Sequence, residues 1–448
     1  MVNTECFHRA NQWLVEVIWH PTHKKENVIM NKKMLKNMLA TSIGLACFSN
    51  AALADEITVW AWDPNFNVAI MEEAAKVYMK DHPDTTFNVV DFAKADLEQK
   101  LHTMLASGVT SSLPDVVLIE DYNAQKYLQS YPGAFAPMTK DVDYKNFAPY
   151  KVNLMTLNGE VYGLPFDTGV TGMYYRTDLL EKAGFTAKDL ENITWERFIE
   201  IGKQVKEKTG VAMLGMNPDD LGLVRVMMQS GGEWYFNKDG SLNITTNESL
   251  KEALKVFKDL MSPEVSRPTI GWSEWVGSLN RGQVASIVTG VWITPSVEAG
   301  KDQAGKWAVT ATPRLQKAGA VNASNLGGSS WYVLNSSKEK QEAIKFLNET
   351  FGSNVPFYET ILKERGAVGS YMPSGQSAAY QYSNAFFGGQ KIYANFTDWL
   401  GKIPEVNYGI YTYEVDAALS SMLPAIVQGA PIKKVLGDVQ QQLEFQLR

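Results

Sequence analysis

Cysteine is almost missing from this chain of 448 residues: there are two, Cys6 and Cys47, and both lie within the first 54 positions. Histidine is scarce as well, and of the five only His82 and His102 come later. Beyond residue 54 there is thus no thiol for a disulfide, a thiolate zinc site or a Cys-His pair. Two separated histidines, one in the turn KDHPD and one in a helical stretch, make no poly-histidine site. Basic runs are lacking too, which excludes nucleic acid and anionic membrane surfaces as natural partners. No stretch after residue 54 approaches the roughly twenty apolar residues a membrane span needs.

What is present begins with a leader. From Met30 the chain reads MNKKMLKNMLATSIGLACFSNAALADE: Lys32, Lys33 and Lys36, then an uncharged run of eleven residues from Met38 to Phe48, then Ala52-Leu53-Ala54. This is the pattern of a secretory signal peptide over 30–54 with cleavage after Ala54, hence an exported, periplasmic protein. Residues 1–29 fit no part of such a signal and read as a non-native upstream extension, with translation starting at Met30. The first 54 residues carry six basic and three acidic side chains, which leaves 36 basic and 46 acidic, a net of −10 against −7 for the whole chain. The remaining length favours two domains over one.

Strand and helix alternate at first. ITVWAW (57–62) reads as a strand, NVAIMEEAAKVYMK (67–80) as a helix, TTFNVVDF (85–92) as a strand, ADLEQKLHTMLASG as a helix closing at Gly108, and PDVVLIEDY (114–122) as a buried strand. That order implies an α/β fold with a largely parallel, doubly wound sheet. Ligands of such sheets sit beyond the carboxyl ends of the strands, where this chain places WAWDPNF and IEDY. Three Gly-punctuated extended pieces, YGLPFDTGVTGMYYR (162–176), VASIVTGVWITP (284–295) and NLGGSSWYVL (325–334), read as crossings between lobes. Thr194 is placed to cap the helix that follows it.

These segments, with TWERFIEIGKQV, GGEWYF and SSKEKQEAIKFLNE, resemble in order the extracellular solute-binding proteins of ATP-driven sugar importers, the group containing the maltodextrin-binding protein. The resemblance implies a two-lobed, type II periplasmic-binding-protein-like fold, two doubly wound lobes joined by a three-crossing hinge. It places the crossings near 165–170, 288–291 and 326–329. The N-terminal lobe is then 55–165 with 291–326 and the C-terminal lobe 166–290 with 327–448. It also implies a carbohydrate ligand, membrane permease subunits as partners, a monomer, and no cofactor.

Carried over residue by residue, the resemblance puts Trp62, Asp63 and Asn65 in the loop after the first strand, and Asp91 and Asp121 on sugar hydroxyls. It stacks Trp292 on a sugar ring and sets Tyr411 or Tyr413 as a late aromatic. The family's hydroxyl-binding Glu past the first crossing is Gly169 here, for which Asp167 is the substitute.

The residue types fit the chemistry. Sugar C–H faces lie against aromatic rings, and carboxylates accept charge-assisted bonds from hydroxyls without a metal. Gly327, Gly328 and Ser329 offer backbone N–H groups and a hydroxyl, with a plain turn as the competing reading. Trp60 stands open between core and cleft, and Trp234 between cleft and a surface plug. Trp272 and Trp275, three apart, read as the buried face of a helix. Trp195 packs a helix start, and Trp307 and Trp399 are structural. Asp219 and Asp220 are further candidates from the second lobe.

A calcium loop at DPNFNVAIMEEA fails, because Val68 stands where glycine is required and Ala74 where glutamate is. Two other functions remain open: a polyamine or other small solute on the same fold, since acids with rings also suit a dication, and an exported glycoside hydrolase, which needs paired carboxylates.

Overall fold

The computed structural model describes residues 55–447; the leader, its cleavage point and the upstream extension lie outside the described residues. In chain order the strands are β1 (Asp55–Trp62), β2 (Thr85–Phe92), β3 (Val116–Glu120), β4 (Thr156–Leu157), β5 (Glu160–Val161), β6 (Gly163–Pro165), β7 (Thr171–Arg176), β8 (Leu214–Met216), β9 (Ser266–Pro268), β10 (Ser286–Gly290), β11 (Trp307–Ala311) and β12 (Ser329–Val333). The expected early elements form. Helices Asn67–Met79 and Lys94–Ser107 alternate with β1–β3, and the second ends on Gly108 at φ 69°, a left-handed stop. The Thr194 hydroxyl accepts from the Arg197 amide at 3.3 Å and caps helix Trp195–Thr209.

Two lobes are built on two sheets. The first sheet runs β2-β1-β3-β12-β6, parallel across β2-β1-β3 and antiparallel on either side of β12. The second, β10-β7-β11, is antiparallel throughout, with the parallel pair β8-β9 beside it. Ile57, Val59, Leu118, Trp331 and Phe346 belong to one buried core, and Tyr174, Phe198, Leu254, Val288 and Phe396 to another.

The chain crosses between lobes at places that differ in part from the expectation. Phe166 belongs to the first core and Val170 to the second, so one crossing runs between them. At 288–291 there is no crossing: Val288, Val291 and Ile293 share one core, and β10 passes through a single 3-10 turn, Val291–Ile293, into a short helix, Thr294–Glu298. β11 sits in the second sheet and β12 in the first, so 291–326 and the segment after 327 exchange the lobes assigned to them. Helices Lys340–Thr350 and Val355–Arg365 pack with the first core, and the chain returns to the second lobe after Ala367. That return is the third crossing. Bridges Asp167↔Gly369 and Val170↔Asn325 lay the three crossings side by side.

Candidate functional site

Between the lobes lies a cavity of about 530 Å³. Its aromatic wall comes from two elements. Helix Gly271–Asn280 carries Trp272 and Trp275 three residues apart, hence on one face. The turn after β10 carries Trp292, whose ring lies so close over Gly290 that a Cβ there would fall 2.1 Å from Nε1. That nitrogen donates to the Leu326 carbonyl at 2.9 Å, so a crossing segment holds the ring in place. Ring centroids stand 5.6 Å apart for Trp272–Trp275 and 5.8 Å for Trp272–Trp292. Trp272 is 55% exposed and Trp275 half-buried, so the face read as core is the face turned to the cavity.

The polar side is lined by Glu120, Asn217, Asp220, Arg225, Thr269 and Thr289, with Tyr122 among them. Glu120 ends β3; its carboxylate accepts from the Lys94 ammonium at 2.5 Å and from the Tyr413 hydroxyl. Arg225 pairs with Asp416 at 2.7 Å and lays its guanidinium over the Tyr122 ring at 4.9 Å. Burial raises the Asp416 pKa, with Arg225 opposing it. Asp220 accepts from the Gly222 amide at 2.7 Å at the start of helix Gly222–Ser230. Two acids and one arginine beside three indoles make a surface for neutral, hydroxyl-rich, ring-shaped molecules. Among the described residues no group of three or more His, Cys, Asp or Glu is placed to hold a metal ion, and no helix is long and apolar enough to cross a membrane.

Of the residues singled out in the sequence, Trp292 lines the cavity. Trp62 is half-buried with the Lys94 ammonium 5.9 Å from its ring, which links it through Lys94 to Glu120. Asp63 is exposed at φ 65°, its carboxylate turned back on the amides of Asn65 and Phe66 at 3.1 and 3.2 Å. Asn65 and Asp91 are exposed outside the lining.

Several others have their polar atoms taken, which corrects the roles given to them. Asp121 is buried and both its oxygens hold Lys151 at 2.8 Å. Asp167 accepts from the Ser329 amide at 2.7 Å and the Ser329 hydroxyl at 2.9 Å, tying crossing to crossing. Trp234 is buried, donates to Thr412 at 3.0 Å and stacks on Tyr122 at 5.7 Å. Gly328, at φ +95°, sits where a Cβ would meet Asp121 Oδ2 at 2.8 Å, while its neighbour Gly327 is the one that lines the cavity. Tyr411 packs half-buried against the second core. Trp60 is core, 4% exposed.

The residues that sequence reasoning missed sit beside ones it chose. Glu120 and Tyr122 flank Asp121, and in IEDY the helix starting at Asp121 turns the middle acid inward. Gly271 takes φ +69° and Ile270 beside it is 77% exposed, so the Trp272 helix starts at an open edge, which the three-residue spacing of its tryptophans does not distinguish from a buried face.

A family model described as "Bacterial extracellular solute-binding protein" matches residues 73–355. The chain is 58% identical over 408 residues to a lactose-binding protein of Rhizobium radiobacter, covering 91% of this chain and 96% of that one. It is 26% identical over 376 residues to an arabinooligosaccharide-binding protein of Halalkalibacterium halodurans, covering 81% and 82% of the two chains. Its fold is similar to that of the galacto-N-biose/lacto-N-biose I-binding protein of the ABC transporter from Bifidobacterium longum, solved with lacto-N-biose. The TM-score there is 0.72 at 23% identity, over 89% of this chain and 98% of that one.

Proposed function

Because the chain belongs to the bacterial extracellular solute-binding proteins, we propose that it captures a short saccharide between its lobes and delivers it unchanged to the membrane permease of an ABC importer. Lactose is the first candidate ligand, from the lactose-binding relative. The observation that carries the reading is the wall of Trp272, Trp275 and Trp292 facing Glu120, Asn217, Asp220 and Arg225 across one cavity. An indole buries roughly 150–250 Å² when covered, and the polar side gives hydroxyls both donors and acceptors. Trp292 keeps its stacking role in this proposal, Trp272 and Trp275 join it, and Trp62 extends the aromatic surface outward. The buried residues Asp121, Asp167, Trp234 and Ser329 support the site from behind.

A polyamine is the weaker reading, since Arg225 places a fixed positive charge in the lining. A hydrolase is weaker as well: Glu120 is already bound by Lys94 and Tyr413, and the relatives named are binding proteins. The protein acts as a monomer in the periplasm after cleavage behind Ala54, without nucleic acid.

The test is a tryptophan-fluorescence titration of the chain from Asp55 onward with lactose, maltose, arabinooligosaccharides, mannitol and putrescine. Saturable, stoichiometric binding of a saccharide without release of its component sugars is expected. Binding of putrescine alone, or steady product release, overturns the reading.

A further inference from the structure

Among the described residues, three polar groups of the cavity lining have no hydrogen-bond partner: the hydroxyls of Thr269 and Thr289 and the Nε–H of Arg225. Both threonines are 1% exposed. Folding normally pairs such groups, because a hydroxyl buried without a partner loses its bonds to water and gains nothing in return. Other threonines in this protein obey that rule: Thr171 meets Thr312 at 2.7 Å, and Thr294 meets Tyr174 at 2.6 Å.

The packing on the protein side of Thr269 is close, so its hydroxyl has no slack to turn toward another protein group. Gly215, itself part of the lining, is a glycine whose Cβ position lies 3.0 Å from Thr269 Cγ2 and 3.3 Å from its hydroxyl oxygen. Arg225 spends one terminal nitrogen on Asp416 and its face on Tyr122, which leaves the Nε edge unused.

We infer that Thr269, Thr289 and the Nε edge of Arg225 form the subsite that reads the pattern of ligand hydroxyls, while the three tryptophans hold the ring face. This rests on the saccharide reading of the cavity. Each threonine hydroxyl carries one donor and two acceptors, and the Nε edge is a donor only. Together they suit adjacent ring hydroxyls and leave an analogue lacking one of them with an unpaired protein group. That penalty is the source of selectivity against deoxygenated sugars.

The inference has an unusual sign that a purely structural role does not share. Replacing either threonine by valine keeps the shape and removes a group that gains nothing in the ligand-free protein. The ligand-free melting temperature is therefore expected to hold or rise in Thr269→Val and Thr289→Val. Affinity for lactose, titrated by fluorescence, is expected to drop about fivefold in each, the usual worth of a neutral hydrogen bond. A lactose lacking the hydroxyl concerned is expected to bind parent and variant alike. Unchanged lactose affinity in both variants overturns the inference while leaving the saccharide reading standing, and so does a melting temperature that falls in step with affinity. A parent protein that binds none of the sugars overturns the reading beneath it, and that result is visible before any variant is made.

Discussion

Lys151 is fully buried, and its ammonium sits among three oxygens: both of Asp121 at 2.8 Å and the Ser329 carbonyl at 2.9 Å. A pair this deep has a large desolvation cost, so its presence alone says little about net stability; breaking it says more. Lys151→Met leaves the Asp121 charge without its counter-ion and is expected to cost about 3–5 kcal/mol in urea unfolding. Adding Asp121→Leu to it should recover most of that loss, and a double variant as unstable as the single one would refute the pairing argument. Burial pushes the Asp121 pKa up to about 6 from its ordinary 3.8, with Lys151 pulling the other way and Asp167 adding to the rise. A carboxyl with a raised folded pKa binds its proton more tightly folded than unfolded. Its contribution to stability is therefore full below about pH 4 and lost as the pH climbs through about 6. The stability difference between the parent and Asp121→Asn should shrink by that route across this window; a flat difference would show that Asp121 does not titrate there. At the cavity wall, Trp292→Ala removes a ring pinned by Leu326 and is expected to weaken lactose binding at least tenfold without unfolding the protein, as checked by fluorescence titration beside circular dichroism.

The crossing segments show why some elements are legible in a sequence and others are not. Helices 67–79 and 94–107, strand 85–92 and the Thr194 cap follow from local signals, apolar spacing and stop or cap residues, and they form where those signals lie. A crossing has no local signature, because it is defined by partners far away in the chain. Thr168 donates to Val368, Leu326 donates to Gly169, and Ser370 donates to Phe166. Gly-punctuated 288–291 looks like a crossing but serves the Trp292 ring, whereas the unremarkable 367–371 makes the actual one. The same bond network accounts for Gly169 where the resemblance wanted a hydroxyl-binding glutamate: a Cβ there would lie 2.0 Å from the Leu326 carbonyl oxygen. Two crossings pass too closely for any side chain. Gly169→Ala is therefore expected to force them apart at about 1–3 kcal/mol or more. Lactose affinity should fall with it, since the hinge strands set how the lobes meet. A variant with parental melting temperature would mean the crossings yield without strain.

At the scale of the whole molecule, the two lobes meet beside the cavity where helix Thr412–Ser420 of the second faces helix Asp121–Ser130 of the first. Glu414 pairs with Lys126 at 2.7 Å, Tyr413 bonds Glu120, and Arg225 lies over Tyr122. None of this was readable from periodicity, because residues far apart in sequence, 293 positions for Glu120 and Tyr413, meet only once both lobes are folded. The Lys126–Glu414 pair is about a third exposed and adds at most about 1 kcal/mol. The Tyr413–Glu120 contact matters more, since Glu120 also lines the cavity: a group that faces the cavity is also one that fastens the lobes. A ligand can favour closure only to the extent that it binds the closed form better, and a closed form populated less often lowers apparent affinity by that fraction. Tyr413→Phe keeps the ring and removes the fastening hydroxyl without altering any cavity-lining residue. Its lactose affinity is expected to drop about tenfold or more, since one hydrogen bond to a charged acceptor is worth roughly 1.5–3 kcal/mol. Ligand-free small-angle scattering should report a larger radius of gyration than for the parent, with both proteins converging at saturating lactose. Parental affinity together with an unchanged ligand-free radius would show that closure is fastened elsewhere, and would leave Glu120 with its place in the lining alone.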